Sequence, residues 1–236
     1  MIVQEELTKL VNKYQTNEVN IWREYFQNLF LSYFYQQPQT NTVYFKGGTA
    51  LRMLYKSPRF SEDLDFSAAY SGIQEIEEAT ESTLSEIEKE NVKVGLSESK
   101  ETSGGYLGTV IFDERITLQL QISLREGQKT GEVVTVTNDF VPPYTIVSLS
   151  QGQLVDEKMS ALFYRKKPRD FYDLYFMLRA NLIFPGKRNL LIKAKEILQT
   201  ADINFENELK QYLPKTHWAI IRNFKQALER EIERFL

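Results

Sequence analysis

Asp63 and Asp65, two residues apart in the run SEDLDFS, are the side chains in this sequence best placed to do chemistry. In an extended segment side chains alternate, so both carboxylates point one way while Leu64 and Phe66 point to the core. Two carboxylates on one face repel each other. A divalent cation that prefers hard oxygen removes that cost, and Mg²⁺ is the ordinary partner beside phosphates. An isolated Asp-x-Asp is more often a solvated pair, so the neighbouring residues decide. Gly47 and Gly48 stand between a β-rich run and a helical one, where glycine permits a tight turn and close backbone approach. Thr49 follows and is expected to cap the helix, whose positive end attracts phosphate. Lys46, Arg52, Lys56 and Arg59 lie around the acidic pair in sequence and would suit a triphosphate. Phosphoryl-type transfer needs these parts, metal ions and cationic clamps held in position, and little covalent chemistry from the protein.

Composition removes most competing chemistries. The 236 residues contain no cysteine and one histidine, His217, so disulfides, thiolate zinc sites and multi-histidine metal centres are excluded. The net charge of −3 argues against indiscriminate nucleic-acid binding by the whole chain. The opening run MIVQEELTKLVNKY carries Glu5 and Glu6 and reads as no signal peptide. No stretch approaches the ~20 apolar residues of a membrane span. A cytoplasmic protein without membrane contact is the expectation.

The elements that must position the acids follow from periodicity. Residues 4–17 and 18–36 are predicted helices, the second with Trp22, Tyr25, Phe26, Leu29, Phe30 and Phe34 on one face. TVYFKGG reads as a short strand, TALRMLYK as a helix, and SPRFSEDLDFSAAY as a loop entering a strand. An acidic helix is expected over 73–91. Strands follow in VKVGLSES, GGYLGTVIFDE and RITLQLQISLRE, the last two forming a hairpin about Asp113–Glu114. VVTVTNDF and PPYTIVSL complete the β region, with Pro142 and Pro143 read as a seam. From about 151 the pattern is helical, closing on one long helix, HWAIIRNFKQALEREIERFL. The fold class is α+β, in two domains: α+β over 1–149 and all-α over 150–236.

The stretch GGTALRMLYKSPRFSEDLDF resembles the signature of the nucleotidyltransferase superfamily, and more narrowly that of the AbiEii/AbiGii toxin family of type IV toxin–antitoxin systems. A second stretch, DEKMSALFYRKKPRDFYDLYFML, is similar to that family's lysine followed by an R-D-x-x-D-like helix. The resemblance implies a nucleotidyltransferase-like mixed sheet with flanking helices. It implies transfer of a nucleoside monophosphate from an NTP, with Mg²⁺ (or Mn²⁺) held by Asp63 and Asp65. Lys46, Gly47, Gly48, Thr49, Arg59, Ser61 and Lys158 would contact the nucleotide, and Asp63, Asp65, Lys158 and Asp173 would be catalytic. The implied acceptor is a tRNA 3′ end. The implied partner is a cognate antitoxin, often a winged-helix repressor, in a toxin–antitoxin or phage-defence setting.

Five further readings complete the expectation. Many enzymes of the superfamily place a third carboxylate on a later strand, yet the polar face of ITLQLQISL is Thr117, Gln119, Gln121 and Ser123, with no acid. Asp173 supplies the missing acid, or one metal suffices, or the chain is an inactive RNA- or protein-binding module. Arg165, Lys166, Lys167 and Arg169 form the densest basic run and are expected to meet an RNA backbone. Asp170, three residues before Asp173 on the same helical face, is expected to cap the helix or pair with Arg169. The aromatic series Phe163, Tyr164, Phe171, Tyr172, Tyr175 and Phe176 reads as core, with base stacking open to one member. A protein hydroxyl is the second-choice acceptor.

Overall fold

The computed structural model describes residues 2–69, 72–124 and 128–236. In chain order its elements are α1 (Gln4–Tyr14), α2 (Glu18–Phe34), β1 (Val43–Lys46), α3 (Gly47–Tyr55), β2 (Leu64–Ala68) and α4 (Ile73–Lys89). Strands β3 (Val94–Thr102), β4 (Gly105–Phe112), β5 (Ile116–Ser123), β6 (Gly131–Val136) and β7 (Tyr144–Leu149) follow. Helices α5 (Gln151–Arg165), α6 (Pro168–Arg179), α7 (Arg188–Thr200), α8 (Phe205–Leu209), α9 (Trp218–Arg222) and α10 (Phe224–Glu233) close the chain. Two compact units result. One comprises Met1–Lys56 with Phe60–Leu149, the other Ser57–Arg59 with Ser150–Leu236.

The first unit is built on a seven-stranded sheet in the order β3-β4-β5-β2-β1-β7-β6. The β1–β7 and β2–β5 pairs are parallel and the others antiparallel, so the sheet is mixed. On β5, Ile116, Leu118, Leu120 and Ile122 are buried and Thr117, Gln119 and Gln121 exposed, the alternation of a sheet with one wet face. The β4–β5 hairpin turns at Asp113 and Glu114, as expected. Both residues take positive φ, 49° and 57°, which matches the right-handed twist of the strands they join. Helix α2 starts at Asn17, whose side chain accepts from the Asn20 N–H at 2.9 Å. Its aromatic face packs on the sheet through Phe26 against Phe112, centroids 4.6 Å apart, and Phe34 against Phe66 at 5.3 Å.

The second unit is all helical. Its core centres on Phe171, Tyr172, Phe205 and Phe224, with Phe205 and Phe224 rings 4.9 Å apart and Tyr172 stacked on Phe224 at 5.8 Å. Three expectations need correcting. Pro142 and Pro143 fall in the β6–β7 connection, inside the first unit. The predicted long closing helix is a 3₁₀ turn (Lys215–His217) followed by α9 and α10. The last two are separated at Asn223, whose φ −122° and ψ 33° leave the helical region. Tyr164 is not core: it is 90% exposed. The predicted continuations at Tyr70 and at Arg125–Glu126 lie outside the described residues.

Candidate nucleotide- and metal-binding site

In the first unit the acidic pair sits where β2 begins. Asp63 immediately precedes the strand and Asp65 is its second residue. Leu64 and Phe66 are fully buried and both aspartates half-buried, so the alternation drawn from the sequence holds in the backbone. Strand β1 runs antiparallel beside β2 with Lys46 opposite Asp65, and α3 begins at once with Gly47. Gly47 has φ +82°, and a Cβ built on it would fall inside the Asp65 carboxylate. The glycine is therefore required twice, for its conformation and for the room it leaves the acid. Gly47→Ala is expected to displace Asp65 and slow the nucleotide transfer implied by the sequence resemblance about 100-fold, the usual cost of a ~1 Å misplacement of a reacting group. Single-turnover rates beside a melting curve check this, and an unchanged rate would remove Gly47 from the site.

Two side chains fix the segment that carries Asp63. Thr49 was expected to cap α3, but the N-cap position is Lys46 and no side chain caps the helix. Thr49 instead lies inside the first turn, fully buried, and its hydroxyl donates to the Asp63 carbonyl. Gln27, buried on α2, donates its amide to the carbonyls of Ser61 at 3.0 Å and Glu62 at 3.1 Å. Sequence reasoning missed Gln27. The available signal was a polar residue on the aromatic face of a helix, where an unpaired amide would be costly.

The basic residues around the pair divide sharply. Arg52 donates to both Glu24 oxygens, each at 3.0 Å, with its guanidinium 3.9 Å above the Phe60 ring. Lys56 donates to the carbonyls of Met53 and Thr137 at 2.9 and 3.3 Å. Arg59 belongs to the second unit and binds Asp173 there. Lys46 is the member of the set placed beside the acids by strand register.

On the far side of β2, the parallel register sets Gln121 of β5 beside Asp65. At this register the neighbouring strand presents an amide and not an acid. Among the described residues, no group of three or more His, Asp or Glu side chains could hold a metal. Two carboxylates and a neighbouring amide would offer hard-oxygen donors, a chemistry that suits Mg²⁺ or Mn²⁺ and not a soft metal.

In the second unit Asp173 (α6) is a buried hub. Its Oδ1 accepts from Arg59 Nε at 2.8 Å, and its Oδ2 accepts from Arg59 Nη2 at 3.0 Å and Lys158 Nζ (α5) at 2.7 Å. All three side chains are buried. Burial alone would push the Asp173 carboxyl up. The adjacent charges of Arg59 and Lys158, with their hydrogen bonds, outweigh it and hold the group below the ordinary carboxylate value. Asp170 is also buried. It accepts from the Lys167 backbone N–H at 3.2 Å, closing the start of α6, and pairs at 2.6 Å with Arg165 rather than Arg169. Arg169 lies 3.7 Å from the Glu208 carboxylate. Lys166 and Lys167 are exposed and make no ion pair among the described residues.

A profile of the nucleotidyl transferase AbiEii toxins of type IV toxin–antitoxin systems matches residues 29–234. The chain belongs to the AbiEii family. The matched segment contains every site residue described above except Gln27, which stands just before it. JHP933 from Helicobacter pylori has a similar structure, with TM-score 0.65 and 18% identity, covering 93% of each chain. The MenT4 nucleotidyltransferase toxin Rv2826c from Mycobacterium tuberculosis H37Rv is similar with TM-score 0.69 and 16% identity, over 98% of this chain and 89% of that one. At these identities the likeness is one of fold. A search of curated proteins found no significant match. As an AbiEii protein the chain is a nucleotidyltransferase toxin of a type IV toxin–antitoxin system. The family generally uses a divalent metal and an NTP, and its setting implies an antitoxin partner. Among the described residues no helix is long and apolar enough to cross a membrane.

Proposed function

We propose that this AbiEii protein moves a nucleoside monophosphate from an NTP to an RNA 3′ hydroxyl, a tRNA end being the first candidate, in the cytoplasm where both substrates occur. The acceptor oxygen attacks the α-phosphorus, the α–β phosphoanhydride bond breaks, and pyrophosphate leaves with the electron pair. Asp63 and Asp65 would hold Mg²⁺ (or Mn²⁺), which supplies charge neutralisation for the triphosphate. The backbone N–H groups of Gly48 and Thr49 at the start of α3, with Lys46 and the Ser61 hydroxyl, bind phosphate oxygens. Lys158 adds a positive point charge. Asp173 acts through Lys158, holding the ammonium in one orientation with Arg59 as its counterweight, and Arg165, Lys166, Lys167 and Arg169 serve the RNA backbone. The partner antitoxin is proposed to be a winged-helix repressor, in a toxin–antitoxin or phage-defence role.

The observation that carries this reading is the fit of Asp65 against Gly47, which joins the metal-binding acid to a phosphate-binding helix start in a family of nucleotidyltransferases. Gln121 beside Asp65 favours a second reading, a binding module without transfer, because the amide brings no charge to the metal. Incubation with each α-labelled NTP, total RNA and Mg²⁺ or Mn²⁺ separates the two. Label at RNA 3′ ends, abolished by EDTA, is the expected result. Label on protein would move the acceptor to a protein hydroxyl, and no label with any of the four NTPs would leave the binding module.

A further inference from the structure

Among the described residues Tyr164 is the one tyrosine classed as exposed, with 90% of its surface in solvent. It stands in the last turn of α5, between Leu162, which faces the core, and a stretch of exposed cations. Its neighbour Phe163 is partly covered and lies 4.5 Å beneath the Lys193 ammonium, so it is already used. The four basic residues that follow are not equivalent. Arg165 is paired with Asp170, and Arg169 lies against Glu208. Lys166 and Lys167 have no ion-pair partner among the described residues. Their backbone is nonetheless fixed. Lys166 holds a left-handed φ of 53°, its N–H bonded to the Leu162 carbonyl, and the Lys167 N–H is bound by Asp170. Residues 150–236 carry sixteen Lys and Arg against eleven Asp and Glu, whereas the whole chain carries 29 against 32. This segment is therefore net positive in a chain of net charge −3.

We propose that Tyr164, Lys166 and Lys167 form a platform for unpaired nucleotides of single-stranded nucleic acid. One base stacks on the Tyr164 ring and the two lysines take the adjoining phosphates. The proposal rests on the nucleic-acid acceptor reading above and deepens it, because it names single-stranded rather than duplex structure at the acceptor. A flat ring left in water beside two mobile point charges on a rigid turn matches what such ligands need: a π-face that tolerates any base, and cations that follow the backbone. Duplex would offer the lysines phosphates but give the ring no base, since its bases are stacked on one another.

The test uses the full chain and a fluorescein-labelled twelve-nucleotide oligo(A) RNA, read by anisotropy across a salt series, with an oligo(A)–oligo(U) duplex as comparison. Tyr164→Ala is expected to weaken single-strand binding about tenfold, within the range for loss of one stacked base, and Tyr164→Phe to retain it. Lys166→Gln with Lys167→Gln should lower the slope of log K against log salt by about 1.4, near 0.7 for each phosphate contact of a single strand. Tyr164→Ala binding like wild type overturns the platform, as does an equal loss of single-strand and duplex binding. Loss of antitoxin binding with RNA binding intact also overturns it and makes the patch a protein interface. Platform behaviour without NMP transfer by the wild type would refute the transferase reading alone. Transfer with Tyr164→Ala binding RNA normally would refute the platform alone.

Discussion

Asp65→Asn is expected to lower nucleotide transfer by about 10³-fold or more while leaving the melting temperature within a few degrees of wild type. Asp63→Asn is expected to do the same. Asparagine keeps the size that Gly47 accommodates and keeps one oxygen donor, so geometry changes little. It removes half the negative charge proposed to hold the cation. With Gln121 in place of a third acid, no other carboxylate stands on the neighbouring strand to compensate. Loss of a single preorganised electrostatic contact at a reacting centre costs about 10²–10³ in rate, and loss of the metal costs more. Stability responds differently because two adjacent like charges oppose folding, and a site kept for function is often a strained one. Melting in Mn²⁺ gives an independent readout. Wild type should be stabilised by about 2.7 kcal/mol at a hundredfold excess over Kd, and both variants much less. Transfer by either variant within tenfold of wild type would mean that the pair does not hold the metal.

What the sequence made legible was local. The Asp63–Leu64–Asp65–Phe66 alternation, the turn at Asp113–Glu114 and the change from mixed to helical character at about 150 rest on near-neighbour periodicity, and the fold follows them. Thr49 shows the limit. Its type suits an N-cap, but the helix begins two residues earlier because glycine adopts the φ of +82° that lets β1 turn directly into α3. Gln27 and Arg59 show it more strongly. Gln27 reaches carbonyls 34 and 35 residues away, and Arg59 an acid 114 residues away. Arg59 read as part of a phosphate clamp because it lies near Asp65 in the chain, and no local pattern announced its bidentate pairing with Asp173. Tyr164 failed for a geometric reason. Successive helical residues are about 100° apart, so the turn that buries Leu162 rotates Tyr164 into water.

Asp173→Ala is expected to destabilise the second unit by about 3–5 kcal/mol, because it strands the buried Arg59 and Lys158 charges together without a counter-ion. For a chain of this size that lowers the melting temperature on the order of 10 °C. Lys158→Met should cost much less stability, since Asp173 keeps both hydrogen bonds from Arg59, yet should lower transfer about 100-fold if the ammonium serves the phosphates. Acid reveals the same hub. The folded Asp173 carboxyl lies below the ordinary aspartate value, so its contribution is complete above that ordinary value and disappears as pH falls through the lower folded one. Urea midpoints of wild type should therefore drop below about pH 4, and Asp173→Asn should flatten that part of the curve. A wild-type midpoint for Asp173→Ala at pH 7 would contradict the hub's structural role. The decisive comparison is the triple variant Arg59→Met, Lys158→Met, Asp173→Leu. Buried ion clusters replaced whole by apolar residues are often no less stable. Recovery of stability without recovery of transfer is expected, because the cluster then exists to hold Lys158 and not to hold the fold. A triple variant that transfers nucleotide at the wild-type rate would remove Lys158 from the reaction.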